Sequence, residues 1–326
     1  MTTDQALIDQ HRADARKVLQ ELGLEENEHV RLRSCSGHNS SILMPCMGPD
    51  GRTFLLKYAV EPADSRFYPP EVRLEDYPRR EAGFYRYLDT VDPNRHRIHA
   101  PKTILIDSQD PPRWLLLEWI GGAVGPAEEW LGMDEFLNVL RELREIPLDQ
   151  LLGRRHFPLN HWDVVSYRDR IRLMVDPMHD VIGADRWQSQ MRVLLEAQRW
   201  LESRPVTVVH GDFTEQNVLV DAEGRPFLID FERIGIGNED HDFAFLWAHS
   251  ERNEAWKRDL VSRYLDQRHG SDRIKAEWGI RSALIYLAMR RLRFAHLVHG
   301  EADPNREQNL ALLDAALQGG PALFPI

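Results

Sequence analysis

The chain has 326 residues, of which 42% are hydrophobic and 29% charged, with a formal net charge of −11. That length buries a sizeable core in two lobes or domains, and the composition excludes a disordered chain. The acidic surplus argues against nucleic-acid binding through a general basic surface and fits a cationic or neutral small substrate. Residues 4–22 carry an amphipathic helical pattern, with Ala6, Leu7, His11, Ala15, Val18 and Leu22 along one stripe. Strands are predicted at Val30–Cys35, Ser41–Met47 and Arg52–Ala59, the last two separated by the turn Gly48-Pro49-Asp50-Gly51. A Pro-rich loop, Glu61–Pro78, is read either as a lid over a substrate or as a passive excursion; it leads into a helix from Arg79 to Leu88. Strands at Lys102–Asp107 and Arg113–Trp119 follow, and Gly121-Gly122 breaks the pattern. Beyond that point the chain reads as helical, interrupted by a single hairpin. Strands first and helices later predict an α+β protein, with a small N-terminal antiparallel-sheet lobe over 1–120 and a larger, mainly helical lobe over 121–326.

The hairpin lies in Val206–Phe231, VTVVHGDFTEQNVLVDAEGRPFLIDF. An apolar run, Val206–Val209, enters the loop His210-Gly211-Asp212. Two further runs, Val218–Val220 and Phe227–Ile229, flank the turn Ala222-Glu223-Gly224-Arg225. Pairing about that turn predicts Asn217 directly opposite Asp230, so that an amide oxygen and a carboxylate converge as a hard cation requires. Asp212 sits just before them on a loop, placed to accept a hydroxyl proton.

The first lobe supplies a cation. Lys57 is the odd charge in the apolar strand Thr53-Phe54-Leu55-Leu56-Lys57-Tyr58. On the following helix Glu81, Phe84, Tyr85 and Leu88 share one face. A carboxylate on a core-facing stripe is costly unless paired, and Lys57 is its natural partner. The alternative is a surface glutamate beside an unrelated lysine; with the hairpin downstream, the ion pair is the reading adopted.

Together HGDFTEQN (210–217), LIDFE (228–232), Lys57 in TFLLKY, Glu81 in RREAGFY and LLLEWIGG (115–122) resemble the aminoglycoside phosphotransferase and choline kinase-like branch of the protein-kinase-like fold. Gly211 after His210, Phe-Glu after Asp230 and the lack of an Ala-Pro-Glu element depart from protein kinases and favour a small-molecule acceptor. The resemblance implies Asp212 as the base, Asn217 and Asp230 as Mg2+ ligands, Lys57 on the phosphates of ATP, and Glu81 orienting Lys57. It implies that Glu118 and Ile120 meet the adenine through their backbone. Ser36, Gly37, Asn39 and Ser40 stand in the place of a Gly-rich phosphate loop; a plain polar turn is the alternative. The implied activity is transfer of the γ-phosphoryl group of ATP to a hydroxyl of a small acceptor, such as an aminoglycoside antibiotic, an amino alcohol or a sugar. A nucleotide-binding pseudokinase and a protein kinase are the rival readings.

Other residues have smaller expected parts. His210 braces the loop by hydrogen bonding, and Asp242 fixes the loop backbone or caps a helix. Glu232 either reaches the metal region or faces away. Arg290, Arg291 and Arg293 ride the solvent face of an apolar helix or pair with acids. Acids such as Asp163, Asp169, Asp180, Asp185, Asp272 and Glu277 are solvated or meet an ammonium group. With no membrane-length apolar run and no signal core, neither a membrane nor a nucleic-acid partner is expected. Cys35 and Cys46 make no disulfide framework, so two buried thiols in a reducing cytoplasm are expected. Oligomeric state has no signature in this sequence, and ATP rather than GTP is implied by the resemblance alone.

Overall fold

The computed structural model describes residues 2–29, 41–60, 76–121, 131–154, 157–300 and 303–319. The strand expected at Val30–Cys35, the loop residues Ser36, Gly37, Asn39 and Ser40, and most of the Pro-rich loop lie outside these residues. Helix α1 (Thr2–Glu21) lays Ala15 and Leu19 against Met44, Cys46, Phe54, Leu56, Tyr58 and Leu116, forming a small core on one face of a sheet. That sheet has five strands in the order β1-β2-β3-β5-β4. They are β1 (Glu25–Glu26), β2 (Ser41–Met47), β3 (Thr53–Ala59), β4 (Thr103–Ile106) and β5 (Trp114–Glu118), and every pairing is antiparallel. Cys46 is a buried free thiol, pushed up to about 11 by burial.

Helix α2 (Asp76–Val91) covers the other face and starts earlier than its apolar stripe suggested. Pro78 falls in its first turn, where the missing N–H would have no intrahelical acceptor. Its buried face carries Glu81, Phe84, Tyr85 and Leu88. Phe231 seats this helix on the second lobe, with ring centroids 4.8 Å from Phe84 and 5.4 Å from Tyr85. One continuous core therefore runs from Leu115 and Leu117 of the sheet through α2 into the helical lobe.

The helical lobe comprises α3 (Met133–Arg144), α4 (Leu148–Arg154), α5 (Val164–Leu173), α6 (Val175–Ile182), α7 (Ala184–Leu201), α8 (Asp240–His249), α9 (Glu254–Asp266), α10 (Ser271–His299) and α11 (Arg306–Gln318). Helix α10 is its axis, packing against α5, α7, α8 and α11. It is buried nearly without interruption from Gly279 to Met289, as a helix apolar on most sides must be. Two small sheets hold the loops of interest. β8 (Val218–Val220) pairs with β9 (Pro226–Leu228), while β10 (Gly235–Gly237) runs parallel to β6 (Asn160–Trp162) and antiparallel to β7 (Thr207–Val209). Glycine is required in β10: a Cβ on Gly237 would lie 2.1 Å from the Trp162 carbonyl oxygen. No helix among the described residues is long and apolar enough to cross a membrane.

Candidate active site

The hairpin forms, but one residue out of the expected register. Val218 pairs with Leu228, Leu219 with Phe227 and Val220 with Pro226. Asn217 therefore faces Ile229, whose N–H donates to the Asn217 carbonyl at 3.0 Å. The turn explains the shift. Gly224 takes φ +79° and donates to the Asp221 carbonyl, while the Asp221 carboxylate accepts the N–H groups of Glu223 and Arg225 at 3.0 and 2.8 Å. Asp221 and Arg225 thus close the turn more tightly than a symmetric four-residue loop would.

Asp230 leaves the strand in a left-handed conformation, φ 68° and ψ 59°. An aspartate tolerates that region better than most residues, at a cost of order 1–3 kcal/mol. The turn brings Asp230 Oδ1 to 2.5 Å from Lys57 Nζ, which also lies 2.7 Å from Glu81 Oε2. Lys57 and Glu81 are paired, as their positions on β3 and α2 predicted. Burial opposes the charge on Lys57, but Asp230, Glu81 and Glu232 outweigh it and hold the amine ionised well above its usual range. Glu232 lines the same small cavity as Lys57, Glu81 and Tyr77, so it faces this region.

The loop carrying Asp212 is held from several sides. Asp242, in the first turn of α8, accepts the backbone N–H groups of His210 at 2.7 Å and Gly211 at 2.9 Å. Burial pushes the Asp242 carboxyl up to about 7, against these two bonds, which favour its ionised form. His210 Nδ1 accepts the Asp212 N–H at 3.3 Å, so its Nε2 carries the proton and donates to the Ile229 carbonyl at 2.9 Å. Asn217 Nδ2 donates to the Asp212 carbonyl at 2.8 Å, which turns the amide oxygen to the opposite side. Glu215 ties the loop to the far end of α8, accepting from Ser250 Oγ at 2.6 Å and from Arg252 Nε at 3.4 Å.

Gly211 accounts for the departure from the protein-kinase pattern. Its φ is +82°, and a Cβ there would lie 2.5 Å from the Arg233 carbonyl oxygen and 2.6 Å from Trp162 Nε1. Gly211→Ala is expected to cost roughly 1–3 kcal/mol in backbone strain and a similar amount in overpacking. Urea unfolding of the variant measures this; a change below about 1 kcal/mol would show that the loop relaxes freely.

Asp212 has Arg233 Nη1 3.4 Å from its Oδ1. Burial alone would raise its carboxyl, but Arg233, Arg290, His249 and His210 together hold it below the ordinary aspartate value of 3.8. A lowered carboxyl contributes stability that is present above the unfolded value and lost as pH falls through the folded one. The 13C carboxyl resonance of Asp212 should therefore report an ionised group throughout a titration from pH 7 to about 4.5, with Arg233→Met moving its midpoint upward. Arg233 was not singled out in the sequence, although it stands three residues beyond Asp230 in the same loop. Of the two expectations for Arg290 and Arg291, a solvent face or an acid partner, the first is not met. Both are half-buried, Arg290 5.8 Å from the Phe245 ring centroid and under the influence of Asp212, and Arg291 Nη2 donating to the Ala248 carbonyl at 3.0 Å.

Glu118 ends β5, and Ile120 is buried just beyond it, where the chain leaves the sheet. Asp163 caps α5, its carboxylate accepting the Ser166 N–H at 2.8 Å. Among the described residues no group of three His, Cys, Asp or Glu side chains could hold a metal alone. The Asp230 carboxylate and the Asn217 amide oxygen are nevertheless hard donors of the kind magnesium takes when phosphate oxygens and water complete its shell. The donor set fits that ion.

The two-lobed fold, with a sheet-borne lysine bridging to a hairpin aspartate, is kinase-like. Residues 48–277 match the family model described as phosphotransferase enzyme family, and the chain belongs to that family. Among solved structures it is similar to a thermostable mutant of aminoglycoside phosphotransferase APH(4)-Ia in complex with ADP and hygromycin B, with 18% identity, 94% of this chain and 98% of that chain covered, and a TM-score of 0.56. It is also similar to choline kinase LicA from Streptococcus pneumoniae (13% identity, 95% and 99% covered, TM-score 0.59). A choline/ethanolamine kinase family protein from Mesorhizobium loti matches at 14% identity, with 98% and 97% covered and a TM-score of 0.60. A search among curated proteins finds no match.

Proposed function

We propose that this chain is a small-molecule kinase that transfers the γ-phosphoryl group of ATP to a hydroxyl of a small acceptor. The observation that carries this reading is the Lys57 amine held between Glu81 of the first lobe and Asp230 of the second. The similar structures in complex with ADP, AMP-PNP and AMP support nucleotide binding by this fold. In this reading Lys57 contacts the nucleotide phosphates, Glu81 orients it, and the backbone of Glu118 and Ile120 meets the adenine. Ser36, Gly37, Asn39 and Ser40 complete the phosphate side. Asn217 and Asp230 would hold Mg2+, which neutralises charge on the phosphate oxygens. Asp212 orients the acceptor hydroxyl and takes its proton as the new O–P bond forms. The bond from the γ-phosphorus to the bridging oxygen breaks, and ADP departs with that electron pair. Such transfer depends on positioning and electrostatics more than on covalent chemistry.

The test is magnesium-dependent ADP release across aminoglycosides, other hydroxylated antibiotics, amino alcohols, sugars, nucleosides and hydroxy acids, with Asp212→Ala as control. Turnover with one acceptor class, lost in the variant, supports the reading. ATP binding without turnover on the whole panel would favour a binding role, and phosphorylation of a generic protein alone would favour a protein kinase.

A further inference from the structure

Although the chain is acidic overall, the charges that act most strongly on Asp212 are those of Arg233 and Arg290. Arg233 reaches Asp212 from the loop after β9, and its own backbone is pinned, the carbonyl accepting from Trp162 Nε1 at 3.0 Å and Asn160 Nδ2 at 3.1 Å. Its contact with Asp212, 3.4 Å, is longer than a good N–H···O bond. Its Nε is buried with no hydrogen-bond partner among the described residues, and Glu232 Oε1 lies 4.0 Å from it. Arg290 comes from α10, one turn after Tyr286, close enough to act electrostatically on both Asp212 and Arg233. Among the described residues no hydrogen bond or ion pair of Arg290 is seen; its half-buried guanidinium lies 5.8 Å from the Phe245 ring centroid. Arg170 of α5 adds a third guanidinium, 4.5 Å over the Trp162 ring and 5.7 Å over Tyr286.

Several other arginines of this lobe end wholly on acceptors, unlike Arg233 with its unpaired Nε. Arg204 and Arg268 reach Glu239, Arg204 also reaches Asp240, and Arg281 and Arg291 end on carbonyls. A buried donor such as Arg233 Nε is costly to leave unpaired, and a ligand with an acceptor oxygen would supply its partner. The nucleotide is an inferior candidate, because Lys57 already serves the phosphate side and α10 packs on the helices of the second lobe rather than on the sheet.

Resting on the kinase reading and naming its acceptor, we propose that the acceptor carries an anionic group, carboxylate or phosphate monoester, which docks on Arg233 and Arg290 while its hydroxyl faces Asp212. The short span between Arg233 and Asp212 selects small molecules with the hydroxyl and the anion a few bonds apart. An ammonium group at this position would meet like charge, so aminoglycosides and amino alcohols fit it poorly.

The test has two readouts on the full chain. Without nucleotide, thermal shift is recorded with D-glycerate, L-malate, glycerol 3-phosphate, inorganic phosphate, ethanolamine, choline and kanamycin. With magnesium-ATP, turnover is measured on the hydroxylated members. Protection and turnover by the anionic compounds are expected, and the carboxylate and phosphate arms distinguish the two sources. Arg290→Met should raise the acceptor KM roughly tenfold to hundredfold with a smaller change in kcat. Arg290→Lys, which keeps the charge, should recover part of that loss and controls for folding. Protection or turnover confined to the cationic or neutral compounds would overturn the proposal while leaving the kinase reading intact, as would no response to any anionic compound. So would weaker binding of AMP-PNP but not ADP in Arg290→Met with the acceptor KM unchanged, since the arginine would then serve the γ-phosphate. Arg290-dependent protection by anions without turnover of any acceptor would remove the kinase reading and keep the anion site.

Discussion

Asp212→Ala is expected to lower kcat by roughly a hundredfold to ten-thousandfold, the range over which a positioned general base acts. Nucleotide affinity should stay within about threefold of the parent, a change below 1 kcal/mol. The two effects separate because the Asp212 backbone is held independently of its carboxylate. Its N–H is bound by His210 and its carbonyl by Asn217. Removing the carboxylate therefore leaves the loop backbone in place while taking away the proton acceptor and the counter-charge of Arg233. Steady-state turnover with the acceptor identified by the panel, together with calorimetric titration of ATP, measures both quantities. Near-normal kcat would remove Asp212 from the role of base.

The second large effect is expected at Lys57. Lys57→Met should destabilise the fold by about 3–5 kcal/mol, because it leaves a buried carboxylate without its cation. Glu81 is 3% exposed, and its Oε1 has no hydrogen-bond partner among the described residues even with Lys57 in place. Asp230 would lose the same partner while strained in a left-handed turn. The check is a double-mutant cycle with Glu81→Gln, read by urea unfolding. In the Lys57→Met background, Glu81→Gln should restore part of the lost stability by removing the orphaned charge. Simple additivity of the two substitutions would show that the pair carries no coupling, and the account of the seam would fail.

The two lobes were legible because their signals are local. The Gly48–Gly51 turn, the apolar face of α2 and the helical run beyond Gly121 each imply an element without reference to distant residues. Lys57 and Glu81 were legible for a related reason: a charge on a buried strand and another on a buried helix face each require a partner, and each was the other's best candidate. The register of the hairpin was not legible. It depends on the Asp221 carboxylate gathering two N–H groups and on Gly224 turning left-handed, a conformational choice that alternation of apolar residues does not encode. β6 and β10 were also missed. They are short, and β10 is built on glycines whose reason is the close approach of the Trp162 backbone, a contact with a residue far away in the chain. The arginines around Asp212 show the same limit. Arg290 in an apolar helix reads as solvent-facing or paired with an acid, and only the packing of the neighbouring helices brings it within electrostatic reach of Asp212 and Arg233.

Helix α8 grips the Asp212 loop at both of its ends, through Asp242 in its first turn and through Ser250 just past its last. Its N-terminal end is itself anchored by Arg144, Arg204 and Arg268 on Glu239, and by Arg204 and Tyr264 on Asp240. The loop is therefore referenced to one rigid strut rather than to the surfaces that would meet an acceptor. Substitutions on α7 or α11 touch none of the contacts that aim Asp212, whereas α5 reaches α8 through Tyr167 and His241. A chain built this way has evolutionary latitude: lineages can diverge until only 13–19% of residues agree, as with its structural neighbours, while the same two-lobed frame persists. The practical corollary is for engineering. Randomising α7 or α11 should yield variants with an intact Asp212 loop more often than randomising α8, whose two ends hold that loop.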